Sequence, residues 1–169
     1  MEHFLLVLYK LQILKERILF IMTDSRSLNE MCSLTICVDS YDKKAMRGRI
    51  CSSYYEEAIR FNGLVDLATT ITAMLDRFEY PQNSIELRYM SEDAQKQNLQ
   101  LFCERHLLLG KPRIVKEKGE LNTFSVKILF RKHATWQGSI SSIKEKKEIN
   151  FRSFLEMILI MDSSLTDAQ

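Results

Sequence analysis

The residues best suited to hold a metal or attack a substrate are the cysteines Cys32, Cys37, Cys51 and Cys103 and the histidines His3, His106 and His133. No two cysteines form a C-x-x-C pair, and the histidines are scattered. A zinc site needs clustered ligands, so no metal site is expected. No serine or cysteine has a His/Asp partner evident in the sequence. Asp66 and Glu156 stand alone as helix caps, not as a paired acid and base. Neither G-x-x-x-x-G-K-[ST] nor G-x-G-x-x-G occurs, so no phosphate-cradling loop is expected. The expectation is no catalytic residues, no cofactor and no metal, which points away from an enzyme. The cysteines read as free thiols, most of them buried, in a reducing cytoplasm.

Charge offers a second kind of chemistry. Basic residues cluster at Arg131–Lys132–His133, along Lys144–Lys147 and along Lys111–Lys118. Arg131, Lys132, Lys144, Lys146 and Lys147 are the candidate contacts to RNA or DNA. Such binding requires several cations on one face. Glu117, Glu120, Glu145 and Glu148 interleave with them, so solvated turns are the plainer reading. A net charge of +2 does not by itself imply a nucleic-acid or membrane partner. Trp136, the one tryptophan, would have to be exposed to stack on a base. Strand parity instead puts it on the core face with Phe124, Val126 and Ile128, given a hairpin that pairs position 126 with 138. It then matches Met46.

The elements that must position these groups follow from periodicity. Phe124, Val126, Ile128 and Phe130 alternate with Ser125, Lys127, Leu129 and Arg131, the mark of a strand with one apolar face. Lys132 to Ala134 supply a turn, and Trp136, Gly138 and Ile140 a return strand. Lys144 to Lys147 suit a second turn, and Ile149 and Phe151 a short third strand. Ser153 and Glu156 form a capping box ahead of the helix Phe154–Met161. An echo lies ninety positions earlier: Gly48, Ile50, Ile59 and Phe61 fall on Gly138, Ile140, Ile149 and Phe151. Leu34, Ile36 and Val38 fall opposite Phe124, Val126 and Ile128. Gly63 and Asp66 fall opposite Ser153 and Glu156. The pattern reads as two β-β-β-α units, an internal repeat. Glycine inside each return strand marks a bulge or the close approach of a neighbouring backbone. A three-stranded sheet with one helix leaves surface open, so the two units are expected to pack about a pseudo-twofold axis.

The expected fold class is therefore α+β, with antiparallel sheets and helices packed on one face. Residues 1–30 form an N-terminal extension, 31–80 the first unit, 81–120 an insertion and 121–169 the second unit, with 31–166 one domain. Two prolines and five glycines in 169 residues argue against long linkers. Residues 4–22 are apolar, but Lys10, Lys15, Glu16 and Arg17 interrupt them, and each central charge costs about 2.5–3.5 kcal/mol in a bilayer. No membrane span is expected. The segment fits a start-site artefact, with Met22 or Met31 the true start, and residues 23–30 a polar lead-in. The insertion holds a strand over 83–90, a helix from about 92 to 109, and a basic connector turning at Lys118–Gly119.

The helices differ. The first, after Gly63, carries one apolar stripe ending before Pro81. The second, FLEMILIM, is apolar almost all round, and such a helix is covered on two sides. Either another element of the chain covers it or its outer face meets a second chain. Phe154, Met157, Ile158, Ile160 and Met161 are the candidate interaction residues.

The order helix, three strands, helix over 92–165 resembles the double-stranded-RNA-binding domain. That family carries lysines at the start of its last helix, where this chain reads FRSFLE with Arg152 alone basic. The string FRKHATWQGSI…INFRSFLEMI resembles a motif of a family of small bacterial proteins with no assigned activity. This implies a bacterial cytosolic setting and transfers no functional residue. The function expected is a non-enzymatic interaction or regulatory module that self-associates, with a homodimer or another protein as its partner. The alternative is an RNA- or DNA-binding protein.

Overall fold

A computed structural model describes residues 25–85, 88 and 114–166. The strand expected over 83–90 falls mostly outside these residues. So do the helix expected near 92–109 and the apolar run 4–22, with His3, Cys103 and His106.

The chain order is α1 (Ser25–Met31), β1 (Ser33–Asp42), β2 (Ala45–Ser52), β3 (Ile59–Asn62), α2 (Leu64–Phe78), β4 (Asn122–Phe130), β5 (Gln137–Ser142), β6 (Lys147–Phe151) and α3 (Phe154–Thr166). All six strands join one antiparallel sheet in the order β3-β2-β1-β4-β5-β6. The separate sheets expected from the sequence are therefore one. The halves meet edge to edge through β1 and β4, with Ile36 opposite Phe124. This solution pairs an edge that each half alone would leave open.

One face of the sheet is apolar. Ile59, Ile50, Ile36 and Phe124 stand in register across four strands. Leu34, Val126, Ile140 and Ile149 do the same across β1, β4, β5 and β6. Helices α2 and α3 close over this face in a single hydrophobic cluster, through Leu67, Ile71 and Phe78 on one and Met157, Met161 and Leu165 on the other. The short helix α1 belongs to the same body: Met31 is buried and Leu28 packs on the core. The polar lead-in thus ends as a helical turn of the folded domain.

The β1–β2 and β4–β5 hairpins share local geometry at positions ninety apart. Lys43 and Lys44 take positive φ in the β1–β2 turn, as His133 and Ala134 do in the β4–β5 turn. Two positive-φ residues match the twist of the flanking strands. The pairing slips between Val38 and Ser40 in one hairpin and between Ile128 and Phe130 in the other. Gly48 sits opposite Val38 and Gly138 opposite Ile128. A Cβ on Gly48 would run into the carbonyl of Cys37, and one on Gly138 into that of Lys127. Only glycine lets the bulged strand lie this close.

The hairpin register differs from the expected one by two residues, with Val126 opposite Ile140 and Gly138 opposite Ile128. A two-residue shift preserves the face, so Trp136 is still buried, at 6 % exposure. Its ring meets Phe154 edge-on, with centroids 4.9 Å apart. Helix α3 begins with Glu156 N–H donating to Ser153 Oγ (3.1 Å), half of the expected capping box. The other half is displaced by one residue, because Glu156 Oε2 accepts from the Arg152 amide (2.7 Å). Asp66 accepts from the Asn62 amide in the same way (2.8 Å).

Each hairpin reaches the opposite half's helix. Lys44, in the β1–β2 turn, pairs with Asp162 of α3 at 2.8 Å. Arg131, at the end of β4, pairs with Asp76 of α2 at 2.6 Å and donates to Pro81 O. These two ties brace the seam from above.

Candidate interaction surfaces

The residues proposed from sequence for nucleic acid are not brought together. Arg131 is 4 % exposed and held by Asp76, so it is a core cation and no ligand contact. Lys132 is exposed beside the Phe130 ring, 5.2 Å from its centroid. Lys144, Lys146 and Lys147 are exposed around the β5–β6 turn. Lys132 follows β4 at one end of the sheet, and that turn lies at the other end, because β4 and β5 are antiparallel. The nine-residue strand β4 separates them by roughly 27 Å. The three-strand segment that resembled a double-stranded-RNA-binding domain is half of a six-stranded sheet.

The interaction residues proposed on α3 are also corrected. Met157, Ile158 and Met161 are buried inside the chain, and Phe154 and Ile160 are partly buried against the same core. None of the three buried side chains is free to meet a partner. The exposed apolar residues of α3 are Leu155, at 66 %, and Leu159, at 57 %. They lie one helical turn apart, on a stripe that also carries Arg152 and Asp162 at its two ends. The second helix is thus covered on one side by its own chain. The first is the better covered of the two, with Leu67, Thr70, Ile71, Ala73, Met74, Leu75 and Phe78 buried. Helical periodicity alone ranks α3 as the more buried helix, because it counts apolar residues and not neighbours.

A second surface had no signal in the motif scan. On the face of the sheet away from the helices, β2 and β3 carry Arg47, Arg49, Arg60 and Asn62. With Asp39, Asp66 and Glu120 they line an open groove of about 620 Å³. Asp39 stands at the β1 bulge. Its carboxylate accepts two hydrogen bonds from Arg49, from Nε and Nη2, each 2.9 Å. The Arg49 guanidinium and the Glu120 amide hold the Asp39 carboxyl below its ordinary pKa against the opposing effect of burial. Arg49 also donates to the Lys118 carbonyl (2.9 Å), which fastens the connector across this face. Arg47 donates from Nε to Asn62 Oδ1 (2.8 Å). Alternation along β2 and β3 could have placed these arginines on one face; their partners come from β1 and the connector, which only the fold supplies.

Cys37 and Cys51 lie on this side of β1 and β2, and both are fully buried. Burial pushes the Cys51 thiol up to about 12 and also raises Cys37. Cys32 is pushed up to about 11 by burial, with Lys127 opposing. Thiols held this far above neutral pH are poor nucleophiles. Among the described residues no group of three or more His, Cys, Asp or Glu is placed to hold a metal ion, and no helix is long and apolar enough to cross a membrane. Comparisons with protein-family models, curated proteins and solved structures find no match to this chain.

Proposed function

We propose that this protein is a non-enzymatic interaction module of the bacterial cytoplasm, and that it associates with a second copy of itself through the outer face of α3. The observation that carries this reading is the exposure of Leu155 and Leu159 on a helix whose other apolar residues are covered. The stripe is self-complementary. In an antiparallel pair of α3 helices that sets Leu155 against the partner's Leu159, Arg152 falls opposite the partner's Asp162. A twofold contact repeats each of these pairings. Two leucines per copy supply far less than the roughly 800 Å² per partner of a stable interface, so the association is weak and concentration-dependent. Free thiols at Cys32, Cys37 and Cys51 and the resemblance of the TWQG…FRSFLE string to bacterial proteins support the setting. The RNA- or DNA-binding alternative draws no support from lysines at opposite ends of the sheet.

The first hairpin of each half further supports a reading of the halves as copies of one β-β-β-α unit, because its turn, bulge and strand glycine recur at a fixed interval of ninety residues.

Sedimentation velocity over a range of concentrations tests the association. The unmodified chain should show a rising weight-average mass. Leu155→Asp with Leu159→Asp should remain monomeric with an unchanged melting profile. A mass independent of concentration in the unmodified chain overturns the proposal.

A further inference from the structure

Arg49 and Arg60 are directly opposite each other on β2 and β3, and Arg47 is diagonal to Arg60. Like charges in these positions destabilise a strand pair. Asp39 neutralises Arg49. Arg60 makes no hydrogen bond or ion pair among the described residues, and Arg47 uses only Nε, on the neutral Asn62. Two guanidinium groups thus bring open N–H donors into one groove, where Asp39 acts on Arg60 only through its field and Asp66 and Glu120 line the walls without bonding either arginine.

The other half of the molecule is a built-in control. The positions ninety residues on from Arg47, Arg49 and Arg60 are Gln137, Ser139 and Asn150. Ser139 pairs with Asn150 in the register that pairs Arg49 with Arg60. The same backbone therefore forms with neutral polar residues, and the sheet does not need arginine at these places.

We propose that the groove is a binding site for an oxyanion, the carboxylate or phosphate group of a small ligand, held between the guanidinium groups of Arg47 and Arg60. Arginine forks match such oxygens two at a time. Arg49, braced by Asp39 and the Lys118 carbonyl, forms the fixed floor of the groove and adds no net charge to it. Glu120 and Asp66 line the same groove and oppose the anion, which favours a ligand group of modest charge over a polyphosphate.

Isothermal titration calorimetry at low ionic strength, with inorganic phosphate in one arm and succinate in the other, tests this. At least one probe should bind saturably to the full chain, and which one binds identifies the source of the oxyanion. Arg60→Gln and Arg47→Gln should each weaken binding about tenfold. Glu120→Gln should tighten it a fewfold, and Lys147→Gln, on the far edge, should leave it unchanged. The variants' thermal melts should stay close to that of the unmodified chain, because the side chains changed are on the outer face. No saturable binding of either probe overturns the proposal. So does equal affinity in the Arg47→Gln/Arg60→Gln double variant, or weakening by Lys147→Gln equal to that by Arg60→Gln.

Discussion

The half that runs from Ser33 to Phe78 and the half that runs from Asn122 to Thr166 share a frame and differ in what they present. The β1–β2 and β4–β5 hairpins agree in turn and bulge, down to a glycine opposite each bulge, whereas the next turn differs, with positive φ at Lys146 and not at Glu56. On the helix side α2 leaves Val65 in solvent at its first turn, whereas α3 leaves the pair Leu155 and Leu159 one turn apart. On the open side the first half carries three arginines and two buried thiols, where the second carries Gln137, Ser139, Asn150, Lys127 and Ser141. Residues that close the backbone, meet the seam or face the helices are held to narrow requirements. Residues on the open face are not, and there the halves have taken different chemistry. Each half thus has one distinctive surface, and the two surfaces are on opposite sides of the sheet.

The sharpest way to break the comparison is at the shared glycines. Gly48→Ala and Gly138→Ala each drive a Cβ into a neighbouring backbone carbonyl, so each should cost about 3 kcal/mol or more. Urea unfolding should show similar losses for both; tolerance of one alone would mean that the halves are not equivalent in their frame. The two braces should differ instead. Asp76→Ala strands the 4 %-exposed Arg131 and should cost about 2–3 kcal/mol. Lys44→Ala removes a pair whose lysine is 69 % exposed and should cost less than about 1 kcal/mol.

A smaller effect separates the open faces. The Asp39 carboxyl is depressed below its ordinary value of 3.8 by Arg49. It therefore contributes stability that is present above that value and lost as pH falls through the lower folded value. Asp39→Asn should flatten the acid limb of a pH–stability curve. The equivalent position, Leu129, has no charge to titrate, so Leu129→Asn should leave the acid limb unchanged.

Much of this frame was legible in the residues. Alternation over Phe124–Phe130 found β4, observed at Asn122–Phe130, and the turn at His133–Ala134 falls within the expected stretch. Strand parity put Trp136 indoors even though the assumed pairing was off by two, because a shift of an even number does not change the face. Other features were not legible. Arg131 looked like one of a basic run, but its role depends on Asp76, fifty-five positions earlier in the chain. Met157, Ile158 and Met161 looked like a surface because the helix is apolar on nearly every side. Which side meets the sheet depends on the direction from which α3 descends. The groove needs Asp39, Arg49 and the Lys118 carbonyl together, and no local pattern joins them.

Local preference is an affair of neighbouring residues, so the chain alone determined where strands, turns and caps fall and which side of each strand is apolar. Partnership across the molecule depends on how those pieces assemble. The joining of the halves through β1 and β4, the side of each helix that meets the sheet, and the meeting of three arginines with Asp39, Asp66 and Glu120 in one groove were decided only in the tertiary structure. There, burial and pairing give the same residue type opposite meanings: Arg131 is sealed beneath α2, while Arg60 is held out to solvent.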